Sequence, residues 1–93
     1  MGRMCFSMFY VYVLKMSNGQ TYAGFSSDLR RRLREHQSGG NKTTRKYLPV
    51  QLIFYEAYIH EGDARRREQY FKTTKGKNTL RIMLKETFGN GSL

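Results

Sequence analysis

The chain has 93 residues, a length that fits one compact domain and leaves no room for a second. Its 17 Lys and Arg residues outnumber its 7 Asp and Glu residues, and the net charge of +10 favours a polyanionic partner such as nucleic acid. A single cysteine excludes an intramolecular disulfide and a cysteine-based zinc site. No apolar run reaches the roughly 20 residues of a membrane span, so we expect a soluble, cytoplasmic protein.

The first third of the chain predicts a β-hairpin. Residues Phe9–Leu14 are β-branched or aromatic on both faces, which is typical of a strand covered on both sides. Asn18-Gly19 is a strong turn signal because both residues tolerate positive φ, and Thr21–Gly24 supplies the return strand. The segment before the hairpin, residues 1–7, fits no element, and we expect it to be a disordered leader.

A helix, a loop and a third strand follow the hairpin. Capping residues at Ser26–Asp28 and leucines at helical spacing predict a helix over residues 28–37. The segment 39–47 is polar and basic and lacks an apolar period, so it predicts a loop. Val50–Tyr55 is rich in β-branched and aromatic residues and predicts the third strand.

The last third of the chain predicts two more helices, over residues 63–73 and 78–87. The stripe of the first that should face the sheet is Ala64, Glu68 and Phe71. The buried side of the second is Leu80, Met83 and Leu84. The sequence therefore predicts an α+β fold over residues 8–88, in which about three helices flank a small three-stranded antiparallel sheet. Residues 89–93 are expected to fray.

Two tyrosine motifs and two charged helices, in this order, resemble the GIY-YIG nuclease family. The motifs are Tyr10-Val11-Tyr12 and Tyr22-Ala23-Gly24, which stand where the family carries Gly-Ile-Tyr and Tyr-Ile-Gly. The helices are Ser27–His36, similar to the family's arginine-bearing helix, and Ala64–Glu68, similar to the helix with the metal-binding glutamate. The chain looks like the short single-domain bacterial members and the nuclease domain of structure-selective junction endonucleases.

The chain departs from the family pattern at several positions. Tyr10 and Val11 replace Gly and Ile in the first motif, and Ala23 replaces Ile in the second. The short members often carry such changes. Phe25 stands where some relatives carry a lysine that helps catalysis, so that contribution is either absent or comes from elsewhere in this chain.

The resemblance implies a metal-dependent endonuclease that hydrolyses DNA phosphodiester bonds, directed by DNA structure and serving repair or recombination. Mg²⁺ or Mn²⁺ is the implied cofactor, and branched or single-stranded DNA is the implied substrate. The implied catalytic residues are Tyr12, Tyr22, Arg32, His36 and Glu68. Tyr12 would activate or position the attacking water, with Tyr22 in the same network. Arg32 would bind the transition-state phosphate, and Glu68 would bind the metal.

The aromatic and histidine assignments each have a structural alternative. Tyr12 and Tyr22 also fit as core aromatics in a chain with seven Tyr. A phenol has an ordinary pKa near 10 and is a poor base, so we expect Arg32 and the metal to lower the pKa of Tyr12. His36 would contact the scissile phosphate or the metal's water, but a histidine at a helix end is equally a cap or a packing residue.

Glu68 is the most informative single residue, because a carboxylate on a buried stripe must be paired or bind a metal. Mg²⁺ typically takes one or two protein carboxylates and keeps several waters, so a single glutamate is sufficient. The alternative is a buried ion pair between Glu68 and Arg32. Both interpretations hold if the pair forms only in the metal-free state.

The remaining basic residues predict contacts to the DNA backbone. Arg30, Arg31 and Arg34 should point outward from the first helix. Lys42, Arg45 and Lys46 are expected to touch phosphates from the loop. Tyr47 is placed to stack on a base. The alternative for the arginine run is an ordinary solvated basic face.

Two other functions stay open from the sequence alone. One is a basic nucleic-acid-binding module without catalysis, which the net charge of +10 and Phe25 both favour. The other is a nuclease subunit that needs a partner protein to choose its substrate.

Overall fold

A computed structural model describes residues 7–89. Its elements are β1 (Phe9–Lys15), β2 (Thr21–Ser26), α1 (Leu29–Gln37), a 3₁₀ helix (Thr44–Tyr47), β3 (Gln51–Tyr58), α2 (Glu61–Phe71), α3 (Thr74–Met83) and α4 (Lys85–Phe88). The strands form one antiparallel sheet in the order β2-β1-β3, so the predicted α+β class is confirmed. The expected leader, apart from Ser7, and the expected frayed tail, apart from Gly89, lie outside the described residues.

Strand β1 lies in the middle of the sheet and is covered on both faces, as its apolar sequence predicts. On one face Tyr12 and Leu14 pack with residues of α1 and with the start of β3. On the other face Val11 and Val13 pack with α2 and α3. Because β1 is central, β2 and β3 are the edge strands, and β2 carries the second tyrosine motif.

The hairpin sets which residues of the two tyrosine motifs face each other. Gly19 adopts φ 86°, the left-handed conformation that glycine tolerates, whereas Asn18 has no positive φ, so only one residue of the predicted pair uses this conformation. The resulting register places Tyr12 opposite Gly24 and Leu14 opposite Tyr22. Side chains alternate along a strand, so both tyrosines project toward the face that α1 covers.

The C-terminal helices begin and end at different residues from those predicted. The first covers 61–71 rather than 63–73, and the second begins at Thr74 rather than 78. Thr73 explains the second shift, because its hydroxyl oxygen accepts from the backbone N–H of Gly76 and starts α3 early. A Cβ at Gly76 would overlap the carbonyl of Tyr70, so this glycine allows α2 and α3 to approach closely.

The predicted third helix, 78–87, is in fact divided into two. Leu84 adopts φ −109° and ψ 40°, which ends α3 at Met83 and separates it from α4. Leu80 is buried as expected and Leu84 packs against the core, but Met83 is 43% exposed, so its predicted burial was wrong. None of the helices within residues 7–89 combines the length and the hydrophobicity that crossing a bilayer requires.

Candidate active site

A cleft of about 340 Å³ opens beside the edge strand β2, between α1 and α2. Its walls include four of the five predicted catalytic residues, namely Tyr12, Tyr22, Arg32 and Glu68. Arg31, predicted to face outward, also lines it, together with Phe25, Asn41 and Arg65. The fold therefore brings together side chains that are separated by up to 56 positions in the sequence, from residue 12 to residue 68.

Tyr12 reaches the cleft by passing over Gly24 on the neighbouring strand. A Cβ at Gly24 would overlap the phenol ring and hydroxyl of Tyr12. The glycine of the second tyrosine motif therefore provides the space that the tyrosine of the first motif occupies. Tyr12 is almost fully buried as a residue, yet it lines the cleft.

His36 lies behind Tyr12 and is completely buried. Its Nε2 is 2.8 Å from the Tyr12 hydroxyl, and its Nδ1 is 2.8 Å from Oγ1 of Thr44. Its ring also makes edge contacts with the rings of both Tyr12 and Tyr22. A histidine at the end of α1 is thus neither a cap nor a surface residue, and it is held on both ring nitrogens.

The donor in each of these hydrogen bonds can be deduced by starting from Asn41, the residue furthest from Tyr12. Thr44 Oγ1 donates to Oδ1 of Asn41 over 3.4 Å, so the threonine oxygen is left to accept from His36 Nδ1–H. Nε2 of a neutral His36 then accepts from the Tyr12 hydroxyl. Burial, and next the Arg32 guanidinium, lower the pKa of His36, which favours this neutral form.

The pKa of Tyr12 is higher than the sequence led us to expect. Arg32 does lower the pKa of Tyr12, but burial and then Tyr22 raise it, and the net effect is a pKa well above the usual range of a phenol. Arg32 therefore acts in the predicted direction, but its effect on the pKa of Tyr12 is smaller than the effect of burial. The Tyr12 hydroxyl keeps its proton and is a hydrogen-bond donor to His36.

Arg32 and Glu68 do not form the ion pair considered as an alternative. Arg32 Nη1 lies 3.1 Å from Glu35, one turn along α1, and Glu68 lies 3.0 Å from Lys72, one turn along α2. The Nε atom of Arg32 is buried and has no hydrogen-bond partner among residues 7–89. A buried donor without a partner is uncommon and fits a site that receives an anionic ligand.

Glu68 is the carboxylate that the cleft offers to a cation. Its side chain is only 12% exposed, and it acts electrostatically on Tyr12, which raises the pKa of that phenol. In the described part of the chain, no group of three or more His, Cys, Asp or Glu side chains is clustered to hold a metal ion by itself. One carboxylate with water and substrate oxygens is the arrangement that Mg²⁺ accepts.

Asn41 and Arg65 are cleft residues that the sequence interpretation missed. Asn41 Oδ1 accepts from the backbone N–H groups of Thr43 and Thr44, and Asn41 Nδ2 donates to the Tyr22 hydroxyl over 3.5 Å. The Asn-x-Thr pattern after two glycines is a turn signal that would have found it. The Arg65 guanidinium stacks on Phe25, 4.1 Å from the ring centroid, so a cation from α2 lies over this ring.

Ion pairing separates the basic residues into two groups. Arg31 pairs with Asp28 and Glu35, and the second arginine cluster, 65–67, is paired throughout. Five of the six predicted DNA-binding residues, all except Arg31, are exposed and form no ion pair within residues 7–89. They are Arg30, Arg34, Lys42, Arg45 and Lys46.

Comparisons with known proteins agree with this fold. A family model described as the GIY-YIG catalytic domain matches residues 8–81, so the chain belongs to the GIY-YIG family and carries a domain of the endonuclease class. It is similar in particular to the UPF0213 proteins, which are small members of that family.

A UPF0213 protein of Bacillus pumilus is 44% identical over 75 residues, which cover 78% of this chain and 76% of that protein. One of Streptococcus agalactiae is 45% identical over 64 residues, covering 68% and 73% respectively. The UPF0213 protein of Bacillus halodurans, solved by NMR in solution, is 32% identical with a TM-score of 0.55, and the match covers 83% of this chain and 85% of that one.

Proposed function

We propose that this protein is a metal-dependent endonuclease that hydrolyses a DNA phosphodiester bond in the cleft beside β2. The observation that carries the proposal is the convergence on one cleft of two phenols, a guanidinium and a largely buried carboxylate. The buried Nε–H of that guanidinium has no partner among residues 7–89. A phosphodiester needs a positioned water, neutralised phosphoryl oxygens and a stabilised leaving oxygen. The cleft offers a group for each of the first two requirements.

Glu68 is the residue that would hold Mg²⁺ or Mn²⁺, with Lys72 released from its carboxylate when the ion binds. A bound ion supplies charge neutralisation at the phosphoryl oxygens and acidifies water. Arg32 would direct its buried Nε–H, which lacks a partner among the described residues, to the scissile phosphate. Glu35 holds the other end of the guanidinium and so fixes its direction.

Tyr12 and His36 would move a proton without forming an isolated phenolate. The high pKa of Tyr12 disfavours a free phenolate, but His36 Nε2 lies 2.8 Å from the hydroxyl. As the water gives a proton to the Tyr12 oxygen, the Tyr12 proton passes to His36. Thr44 and Asn41 would hold the imidazole in the tautomer that accepts it, and Asn41 would also position the Tyr22 hydroxyl.

Arg65 would take over the position that a lysine fills in some relatives. Its guanidinium lines the cleft and is supported by Phe25 below it and by Glu61 at 2.6 Å. The five exposed cations of α1 and the following loop would hold the DNA on either side of the cut, and Tyr47, 37% exposed, would stack on a base. We also propose that the protein acts in DNA repair or recombination and that it is cytoplasmic.

The test is a cleavage assay on nicked, flapped and branched DNA with EDTA, Mg²⁺ or Mn²⁺. We expect metal-dependent cleavage of at least one branched substrate, and loss of that cleavage in Glu68→Ala with DNA binding retained. The matched control is Glu86→Ala, which removes an exposed carboxylate outside the cleft. Cleavage that survives in Glu68→Ala contradicts the proposal. Salt-sensitive binding with no cleavage on any substrate would instead indicate a binding module.

A further inference from the structure

A second groove, of about 520 Å³, lies at the hairpin end of β2, on the sheet face that α3 covers. It is lined by Lys15 at the end of β1 and by Gln20 and Thr21 where β2 begins. Lys77 and Arg81 line it from α3 and form its helical wall, and their spacing of four residues places them on one face of that helix.

The charged side chains of this groove are all positive. No ion pair joins Lys15, Lys77 or Arg81 to a carboxylate within residues 7–89, although the ion pairs elsewhere engage most of the acidic side chains. Those engaged are Asp28, Glu35, Glu56, Glu61, Asp63 and Glu68. Like charges four apart on a helix repel each other and destabilise it slightly. An anionic ligand in the groove would remove that repulsion.

Strand β2 connects this groove to the cleft of the candidate active site. Thr21 lines the groove, and Tyr22, the next residue of the same edge strand, already lines the cleft, followed by Gly24 and Phe25. The groove and the cleft are therefore neighbours along β2. A DNA strand that lies along this edge of the sheet would pass both.

We propose that the groove binds the backbone of the cleaved DNA strand, at phosphates on one side of the bond that is cut. Lys15, Lys77 and Arg81 neutralise the phosphodiesters, while Gln20 and Thr21 offer neutral donors. The groove reads the backbone rather than the bases, and it fixes where along the strand the scissile phosphate lies. This inference rests on the proposed function for its register, although the phosphate binding itself does not require catalysis.

The test compares two double variants that each lose two exposed positive charges from the same end of the fold. Lys77→Gln with Arg81→Gln removes the groove wall, and Lys75→Gln with Lys85→Gln is the matched control outside the groove. DNA affinity is measured by fluorescence anisotropy in EDTA over a series of salt concentrations. The logarithm of the association constant falls as the logarithm of the salt concentration rises. We expect the groove variant to make this slope shallower by about 1.8, that is, by about 0.9 for each of two phosphates. The control should change it by less than half of that amount.

A second measurement locates the contacted phosphates. Single neutral methylphosphonates are placed along the substrate, and those on one side of the cut should weaken binding to the wild type but not to the groove variant. Equal slope changes in the two double variants, or a methylphosphonate profile that the groove variant leaves unchanged, overturn the inference. If the wild type never cleaves DNA but the slopes differ as stated, the proposed function fails and the groove stands. If cleavage is robust and the slopes do not differ, only the groove fails.

Discussion

The phenol of Tyr12 lies directly over Gly24, and a side chain on that glycine would occupy the place of the Tyr12 hydroxyl. The two tyrosine motifs therefore depend on each other. The first provides the phenol of Tyr12, and Gly24 of the second leaves the space in which that phenol reaches the cleft.

We predict that Gly24→Ala abolishes most cleavage, because the new Cβ must push Tyr12 away from His36 Nε2. A displacement of about 1 Å costs on the order of 100-fold in rate, and the overpacking costs about 1–3 kcal/mol of stability. Gly62→Ala is the control, since no atom lies within 4 Å of a Cβ there. Turnover and urea unfolding measure both effects. A Gly24→Ala variant with normal turnover would disprove the role of this contact.

Arg32→Ala should be inactive yet folded. Arg32 lines the cleft, and its buried Nε–H has no partner among residues 7–89. Its removal leaves Glu35 still bound by Arg31 at 3.3 Å, so little stability is lost. We expect turnover to fall by about 100- to 1,000-fold, the usual loss for a transition-state donor, while the melting temperature changes by only a few degrees. Arg30→Ala, on the exposed side of α1, should lose affinity but keep turnover. Comparable turnover losses in the two variants would exclude a special role for Arg32.

The buried His36 predicts a loss of stability in mild acid. Burial and Arg32 lower its pKa in the folded state, so the unfolded chain binds the proton first, at its ordinary pKa near 6.5. The stabilisation is complete above that pH and is lost as the pH falls through the lower folded-state value. Urea unfolding between pH 8 and pH 5 should show this slope, and His36→Gln should reduce it. A slope that is identical in the variant would show that His36 is not the group responsible.

Three consecutive arginines of α2 should give three different phenotypes. Arg65→Ala should reduce cleavage, since Arg65 lines the cleft, and Arg66→Ala should change nothing, since its side chain is 75% exposed. Arg67→Ala should cost about 1–2 kcal/mol of stability without affecting DNA binding, because Arg67 pairs with both oxygens of Glu56 and lies 4.4 Å from the Phe71 ring centroid. Cleavage, DNA affinity and denaturant midpoints separate the three outcomes. Uniform effects on DNA affinity would mean that the arginines act only through their charge.

Local patterns were sufficient for most of the fold. The apolar run of β1 and the Asn18-Gly19 turn predict a buried hairpin, and its burial and the positive φ of Gly19 are present in the structure. The boundaries of the last helices were missed because a side-chain cap at Thr73 and a close helix approach at Gly76 decide them. Neither feature changes the apolar spacing on which the prediction depended.

The candidate site divides in the same way. Motif spacing pointed to Tyr12, Tyr22, Arg32 and Glu68, and these four line one cleft. The spacing did not reveal that Asn41 and Arg65 join them, nor that Glu68 pairs with Lys72 rather than with Arg32. Long charged side chains choose partners by distance in space, and a sequence offers several candidates of the right sign.

The sequence by itself determined the fold class, the family and the order in which the reactive side chains occur, because these depend on residue type, periodicity and spacing along the chain. Only the tertiary structure decided the protonation of Tyr12, the burial of His36 and which cations form ion pairs among residues 7–89. Those properties depend on how much water and which charges surround each group. The solvent exposure and the neighbouring charges of a side chain are set only when the helices pack on the sheet.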